Sequence, residues 1–237
     1  MKARIVDTTD GVTLVGGAPL GARILSMALA RAPIVVAADG GADRALAAGV
    51  MPQAVIGDFD SISADARARI PPERQHPIAE QDTTDFDKAL RSVAAPFVLA
   101  LGFSGARADH GLAVFNTLLR HPGQPCVILG ADDAVFLCPP ALTLRMRPGD
   151  RLSLFPMGAV AGESHGLRWP IGGLDFAPDG RIGTSNEVST PEVRLAFDAA
   201  RMLVIVPRQR LDAVISALVP QWQPPRGAGG RRAARGG

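Results

Sequence analysis

The chain has 237 residues, enough for one large domain or two small ones, and its 47% hydrophobic and 20% charged residues are the balance of an ordinary globular protein. The formal net charge is +2, but Arg226, Arg231, Arg232 and Arg235 stand near the C-terminus with no acid among them, so the rest is near neutral. That balance gives no support for nucleic-acid binding, which usually shows a basic face.

The chain contains two cysteines, Cys126 and Cys138, without CxxC spacing, which argues against a disulfide scaffold or a structural zinc site. Cys126 lies in an apolar run and reads as a buried core thiol. The first residues lack the apolar stretch of a signal peptide, and no apolar run is long enough to span a bilayer. A soluble, cytoplasmic protein is expected.

In chain order, the first half repeats one pattern: a short apolar run ending in Gly or Asp. Val12-Thr13-Leu14-Val15 runs into Gly16-Gly17, Ile34-Val35-Val36-Ala37-Ala38 into Asp39-Gly40-Gly41, and Ala54-Val55-Ile56 into Gly57-Asp58. Phe97-Val98-Leu99-Ala100-Leu101 runs into Gly102, and Val127-Ile128-Leu129 into Gly130. Such runs suit strands buried on both faces of a parallel sheet. Helices are expected over residues 42–48, closing on Gly49, and from a Thr84 cap through Ala89-Leu90 to Val93. Leu112, Phe115, Leu118 and Leu119 follow helical spacing after an Asp109-His110 loop. This alternation predicts an α/β domain over residues 1–138.

Near Pro139-Pro140 the period changes. Leu142, Leu144 and Met146 alternate with polar residues, as do Leu152 and Leu154 after the turn Pro148-Gly149-Asp150, and later Val193, Leu195 and Phe197. Met202 to Val206 reads as a further strand, and Leu211, Val214, Ile215 and Leu218 as a final helix. A small all-β sandwich domain is predicted for residues 139–219. A solvated, disordered tail is expected for residues 220–237.

Charged clusters fall at these predicted boundaries. In Gly57-Asp58-Phe59-Asp60-Ser61, extended geometry would point Asp58 and Asp60 the same way. Two close carboxylates call for a cation between them, for which Mg2+ is the natural candidate. In Asp82-Thr83-Thr84-Asp85-Phe86-Asp87-Lys88, a helix from Thr84 would place Asp85 and Lys88 on one face. Residues 102–110 form a glycine-containing loop with Arg107, suited to phosphate, and Asp109 and His110. Asp39-Gly40-Gly41 adds a carboxylate at another strand end. Taken singly, each cluster has a plain reading as turn, cap, surface ion pair or structural histidine. Their shared placement at strand C-termini and a helix N-terminus is that of a phosphate-handling site. A Walker A motif, a dinucleotide fingerprint, a G-x-S-x-G elbow and an H-E-x-x-H motif are all missing.

These segments, in this order, resemble the thiamine pyrophosphokinase family, and Gly166-Leu167-Arg168-Trp169 and Gly183-Thr184-Ser185-Asn186 look like its thiamine-site segments. The resemblance covers residues 12–207. It implies an α/β catalytic domain followed by a β-sandwich, and a homodimer with active sites between subunits. It further implies transfer of pyrophosphate from ATP to thiamine. Mg2+ would be held by Asp58, Asp60, Asp82 and Asp85, with Lys88 and Arg107 offsetting charge. Asp109 or a metal-site carboxylate would accept the hydroxyl proton. ATP would contact Asp39, Gly40, Thr83, Arg107 and His110, and thiamine Trp169, Ser185 and Asn186. The segment 170–174 departs from the family pattern. A pyrophosphokinase for another alcohol such as a hydroxymethylpterin, or a non-catalytic thiamine or nucleotide sensor, are the alternatives.

Overall fold

The structure, a computed structural model, describes residues 4–104 and 107–225. Gly105 and Ala106 of the third charged loop, and the arginine-bearing tail, therefore lie outside the described residues.

The expected strands form where the apolar runs lie: β2 (Val12–Val15), β3 (Ile34–Ala38), β4 (Ala54–Gly57), β7 (Val98–Leu101) and β8 (Cys126–Leu129). With β5 (Gln75–Pro77) they make a parallel sheet in the order β8-β7-β2-β3-β4-β5. Alternate residues serve opposite faces: Val98 and Ala100 join one core, Leu99 and Leu101 another. Both faces are covered, so the strands need no polar residue. Helices α4 (Asp85–Arg91) and α5 (Ala108–Arg120) cover one face. On the other lie α1 (Ala22–Leu29), α2 (Gly41–Ala47) and α3 (Ala64–Arg69). A short parallel pair, β1 (Val6–Asp7) with β6 (Val93–Ala94), flanks the sheet.

Local signals set the helix ends. Gly49 takes φ +75 after α2, its N–H bonding to Leu46 O and that of Val50 to Ala45 O, a Schellman closure. Thr84 Oγ1 accepts from Asp87 N at 3.3 Å and caps α4. Helix α5 starts earlier than its apolar spacing suggests. Asp109 and His110 stand in its first turn rather than in a loop, and Leu112 is 67% exposed, while Val114, Thr117 and Leu118 face inward.

The sheet does not stop at Pro139. Strand β9 (Asp133–Leu137) adds antiparallel to β8, followed outward by β16 (Met202–Pro207), β11 (Arg151–Pro156) and β14 (Gly183–Glu187), giving ten strands. A second antiparallel sheet, in the order β10-β15-β12-β13, comprises Ala141–Arg145, Glu192–Phe197, Val160–His165 and Leu174–Phe176. Its inward residues, among them Leu144, Leu195 and Phe197, share a core with Leu152, Leu154 and Val204 of the long sheet. The two layers form the sandwich that the period-2 segments imply. Helix α6 (Leu211–Leu218) seals this core, and Trp222 packs edge-on against Phe97 at 5.9 Å. Cys126 and Cys138 are buried and free, and burial pushes the Cys138 thiol up to about 12. No helix among the described residues is long and apolar enough to cross a membrane.

Helices α4 and α5 are tied together by Asp87, whose side chain is 1% exposed and meets Arg120 at 2.8 Å, Arg91 at 3.4 Å and His121 at 3.4 Å. Removing the buried carboxylate takes away the group that Arg120, Arg91 and His121 share, although Arg91 keeps Glu80 at 2.7 Å. Asp87→Ala should cost about 1–2 kcal/mol, since the cations left behind are partly exposed, which lowers the melting temperature by about 2–8 °C in a chain of this size. Differential scanning calorimetry checks this, and an unchanged midpoint would refute it.

Candidate active site

Strand order reverses between β2 and β7, because the chain steps from β2 through β3 and β4 to β5 and then returns to β7 on the other side. At such a point the loops beyond the strand ends diverge and leave a crevice. The crevice is a cleft of about 530 Å3, lined by loops after β2, β3, β4 and β7 and by the first turns of α4 and α5. Its floor needs glycine. Gly16 N–H donates to Leu101 O at 2.7 Å, and a Cβ on Gly16 would stand 2.5 Å from Gly102 O. Gly102 itself has φ +74.

Four carboxylates converge here. Asp39 is buried at the end of β3; Asp58 and Asp60 follow β4; Asp85 opens α4. Oxygens of Asp39, Asp58 and Asp60 lie within 4.8 Å of one another, a grouping that could hold a metal ion. Asp58 and Asp60 do converge, but through a turn rather than an extended segment. Phe59 takes φ +67, and Asp60 N–H reaches back to Asp58 Oδ1 at 3.4 Å. Lys88, 1% exposed, donates to Asp58 Oδ2 at 3.0 Å and Asp85 Oδ1 at 3.1 Å.

The charges follow from this packing. Burial opposes ionisation of Asp58, but the Lys88 hydrogen bond and charge outweigh it and hold the carboxyl below its ordinary value. Asp60 is raised, first by its hydrogen bond with Asp39 and then by the charge of Asp58. Asp85 is raised by burial in spite of Lys88. Burial disfavours the Lys88 ammonium, yet Asp58 and Asp85 carry its pKa upward. Asp82 is exposed, lies outside the three-carboxylate group and does not line the cleft.

Gly40, Thr83, Arg107 and His110 line the cleft. The Arg107 guanidinium makes a two-pronged contact with Asp109, at 3.1 and 2.6 Å, with both side chains 65% exposed. That partner pulls the Asp109 carboxyl down to about 2. Ser61, quoted above only as the end of its motif, donates to Asp39 and also lines the cleft. Its sequence signal was its place directly after the two aspartates.

Trp169, Ser185 and Asn186 do not line this cleft. Trp169 is 54% exposed, with the Arg168 guanidinium 5.0 Å from its ring centroid. The buried Asn186 amide bridges the Trp169 main chain, donating to its O at 2.7 Å and accepting from its N at 3.2 Å. Ser185 takes φ +60, and its N–H donates to Ser153 Oγ.

An α/β sheet with clustered carboxylates and a buried lysine at its switch point, joined to a β-sandwich, defines a phosphate-handling class of enzyme. Family models described as "Thiamin pyrophosphokinase, catalytic domain" and "Thiamin pyrophosphokinase, vitamin B1 binding domain" match residues 25–128 and 142–202. Thiamine pyrophosphokinase 1 of Oryza sativa subsp. japonica is 28% identical over 203 residues, covering 71% of this chain and 77% of the relative. Two solved structures share the fold. Thiamin pyrophosphokinase from Geobacillus thermodenitrificans has a TM-score of 0.68 at 23% identity, covering 83% of this chain and 96% of that one. The yeast enzyme scores 0.70 at 16% identity, covering 88% and 89%. The chain belongs to the thiamine pyrophosphokinase family.

Crowding at Asp60 has a thermodynamic consequence. A carboxyl whose folded pKa is raised holds more protons folded than unfolded, so its ionisation lowers stability as pH rises. A divalent cation binding the ionised form relieves that repulsion, whereas protons compete with it. The rise in melting temperature on adding Mg2+ should therefore be larger at about pH 7.5 than at about pH 5, and should begin to shrink above the ordinary carboxylate range of about 3.9. Thermal shift with and without Mg2+ across pH measures this; a pH-independent shift would count against the site.

Proposed function

We propose that this cleft transfers a pyrophosphoryl group from ATP to the hydroxyl of thiamine, giving thiamine diphosphate and AMP, with Mg2+ as the cation. The observation that carries the reading is the Asp39, Asp58 and Asp60 group beside buried Lys88 at the sheet's switch point. The donor set fits the cation: it is all oxygen, it carries excess negative charge, and Asp39 Oδ1 is buried without a hydrogen-bond partner. Asp39, Asp58 and Asp60 would hold Mg2+, with Asp85 facing the same cleft. Bound there, the ion would neutralise phosphate oxygens as the bond to AMP breaks.

The protein's own groups then orient and balance charge. Lys88 holds Asp58 and Asp85 in place and offsets their charge. Gly40, Thr83 and His110 supply the cleft wall along ATP, and Arg107 exchanges Asp109 for a phosphate oxygen. The thiamine hydroxyl attacks the β-phosphorus, and its proton passes to a cleft carboxylate. Asp109, released as Arg107 turns to the phosphate, joins the cleft carboxylates as an acceptor for that proton. Trp169 offers a planar face to thiamine, with Ser185 nearby. The thiamine-side residues do not line the cleft, which supports a homodimer whose sandwich closes its partner's site. We place the enzyme in the cytoplasm, where ATP is supplied.

Incubation with ATP, Mg2+ and thiamine should release AMP and thiamine diphosphate in equal amounts; absence of both overturns the reading. Asp58→Asn and Asp85→Asn should each fold yet lose about two or more orders of magnitude in turnover, as expected when a metal clamp or its support is lost. Near wild-type turnover in both would remove these residues from the mechanism. Trp169→Ala should raise KM for thiamine several-fold to about tens-fold, in line with about 0.5–2 kcal/mol for a cation over an aromatic face. Steady-state kinetics with each substrate varied should leave KM for ATP little changed, and equal effects on both would assign Trp169 a packing role.

A further inference from the structure

We infer that Ser61 is a positioning residue that fixes which oxygen of Asp39 faces the cation. The inference rests on the proposed reading of the Asp39, Asp58 and Asp60 group.

The Asp39 backbone has little freedom. It takes φ +44, its N–H donates to Ile56 O at 3.0 Å, and its O accepts from Ala42 N at 2.9 Å. Gly57 packs so closely that a Cβ there would stand 2.8 Å from Asp39 Cβ. The remaining freedom is rotation of the carboxylate, a soft torsion with two broad wells. Ser61 removes it. Its Oγ donates to Asp39 Oδ2 at 2.5 Å and its N–H donates to the same oxygen at 3.1 Å. Both donors load Oδ2, while Oδ1 stays buried and without a hydrogen bond. A buried carboxylate oxygen without a partner is costly. One Asp39 carboxylate oxygen lies within 4.8 Å of oxygens of Asp58 and Asp60, and Oδ1 is the one that Ser61 leaves free to serve there. Ser61 thus spends one oxygen so that the other is presented. It is itself exposed, so its side chain can change without opening a core cavity.

The test measures Mn2+ binding by electron paramagnetic resonance, without nucleotide, in the full chain and four variants. Thr and Val have nearly the same shape and differ in the hydroxyl. Ser61→Ala and Ser61→Val should weaken Mn2+ binding by about tenfold, the usual size when a hydrogen-bond partner behind a metal ligand is lost. Ser61→Thr should stay within about threefold of the wild type. In turnover assays the Mg2+ requirement should rise in the first two variants while KM for thiamine holds. Unchanged Mn2+ binding in Ser61→Ala and Ser61→Val, or an equal loss in Ser61→Thr, overturns the inference. Asp58→Asn separates the two levels. If it binds Mn2+ like the wild type, the cation reading itself fails, and the role of Ser61 with it. If it loses binding while Ser61→Ala and Ser61→Val keep theirs, the role of Ser61 alone is overturned.

Discussion

The interaction on which the site depends is the pairing of Lys88 with Asp58 and Asp85. An ammonium that is 1% exposed is tolerable only with charge partners in contact, and both carboxylates lie within 3.1 Å. The partners come from different places, one from the loop after β4 and one from the first turn of α4, on the helix that carries Lys88. Satisfying one buried cation therefore locks a loop to a helix. One positive charge cannot offset four neighbouring carboxylates. The surplus collects on the Asp39 side, where the hydrogen bond with Asp39 and the charge of Asp58 raise Asp60. The protein holds these groups together against their repulsion, an arrangement that a bound cation would relieve.

The sheet makes that convergence geometrically cheap. Strands β2, β3, β4 and β7 run parallel, so all their carboxyl ends open on one side. Close approach of the strand ends then depends on missing side chains. A Cβ on Gly41 would stand 2.0 Å from Val15 O, so α2 starts against β2 only because residue 41 is glycine. The same packing sets Gly40 beside Ser61, where a Cβ would lie 3.1 Å from Ser61 Oγ.

Much of this was legible in the sequence, for identifiable reasons. The five buried strands announce themselves because two-sided burial demands unbroken apolar runs. Thr84 and Gly49 mark helix ends through local chemistry. Tertiary information was not legible in the same way. Strand β12 contains Gly162, Glu163 and His165 and shows no clean alternation, and β13 is three residues long. Helix α1 begins after a glycine-rich stretch that reads as loop. Spacing drew attention to Leu112, although the buried face of α5 runs through Val114 and Leu118. In the site, spacing found Asp58, Asp60, Asp85 and Lys88. It could not weigh Asp39 against Asp82, since both are acids beside turn residues. Burial separates them, and burial is a property of the assembled sheet. The left-handed Phe59 was likewise hidden, because nothing in the residue type calls for that conformation.

The two halves of the molecule offer different surfaces. Phosphate and cation need charges held at fixed separations, and loops beyond parallel strands provide them from several directions at once. The sandwich instead presents one exposed aromatic face, Trp169, on a braced main chain. Asn186 grips its N–H and its carbonyl together, so the ring can stand 54% exposed without the backbone beneath it moving. Arg168, drawn toward Glu187 at 3.3 Å, lies 5.0 Å from the ring centroid. A guanidinium in that place restricts where a second cation can stack. The long sheet links both devices, because β11 and β14, which carry Ser153 and Asn186, are continuous with the strands that end at the carboxylates. Hydrogen-bonded backbone therefore runs unbroken from one end to the other.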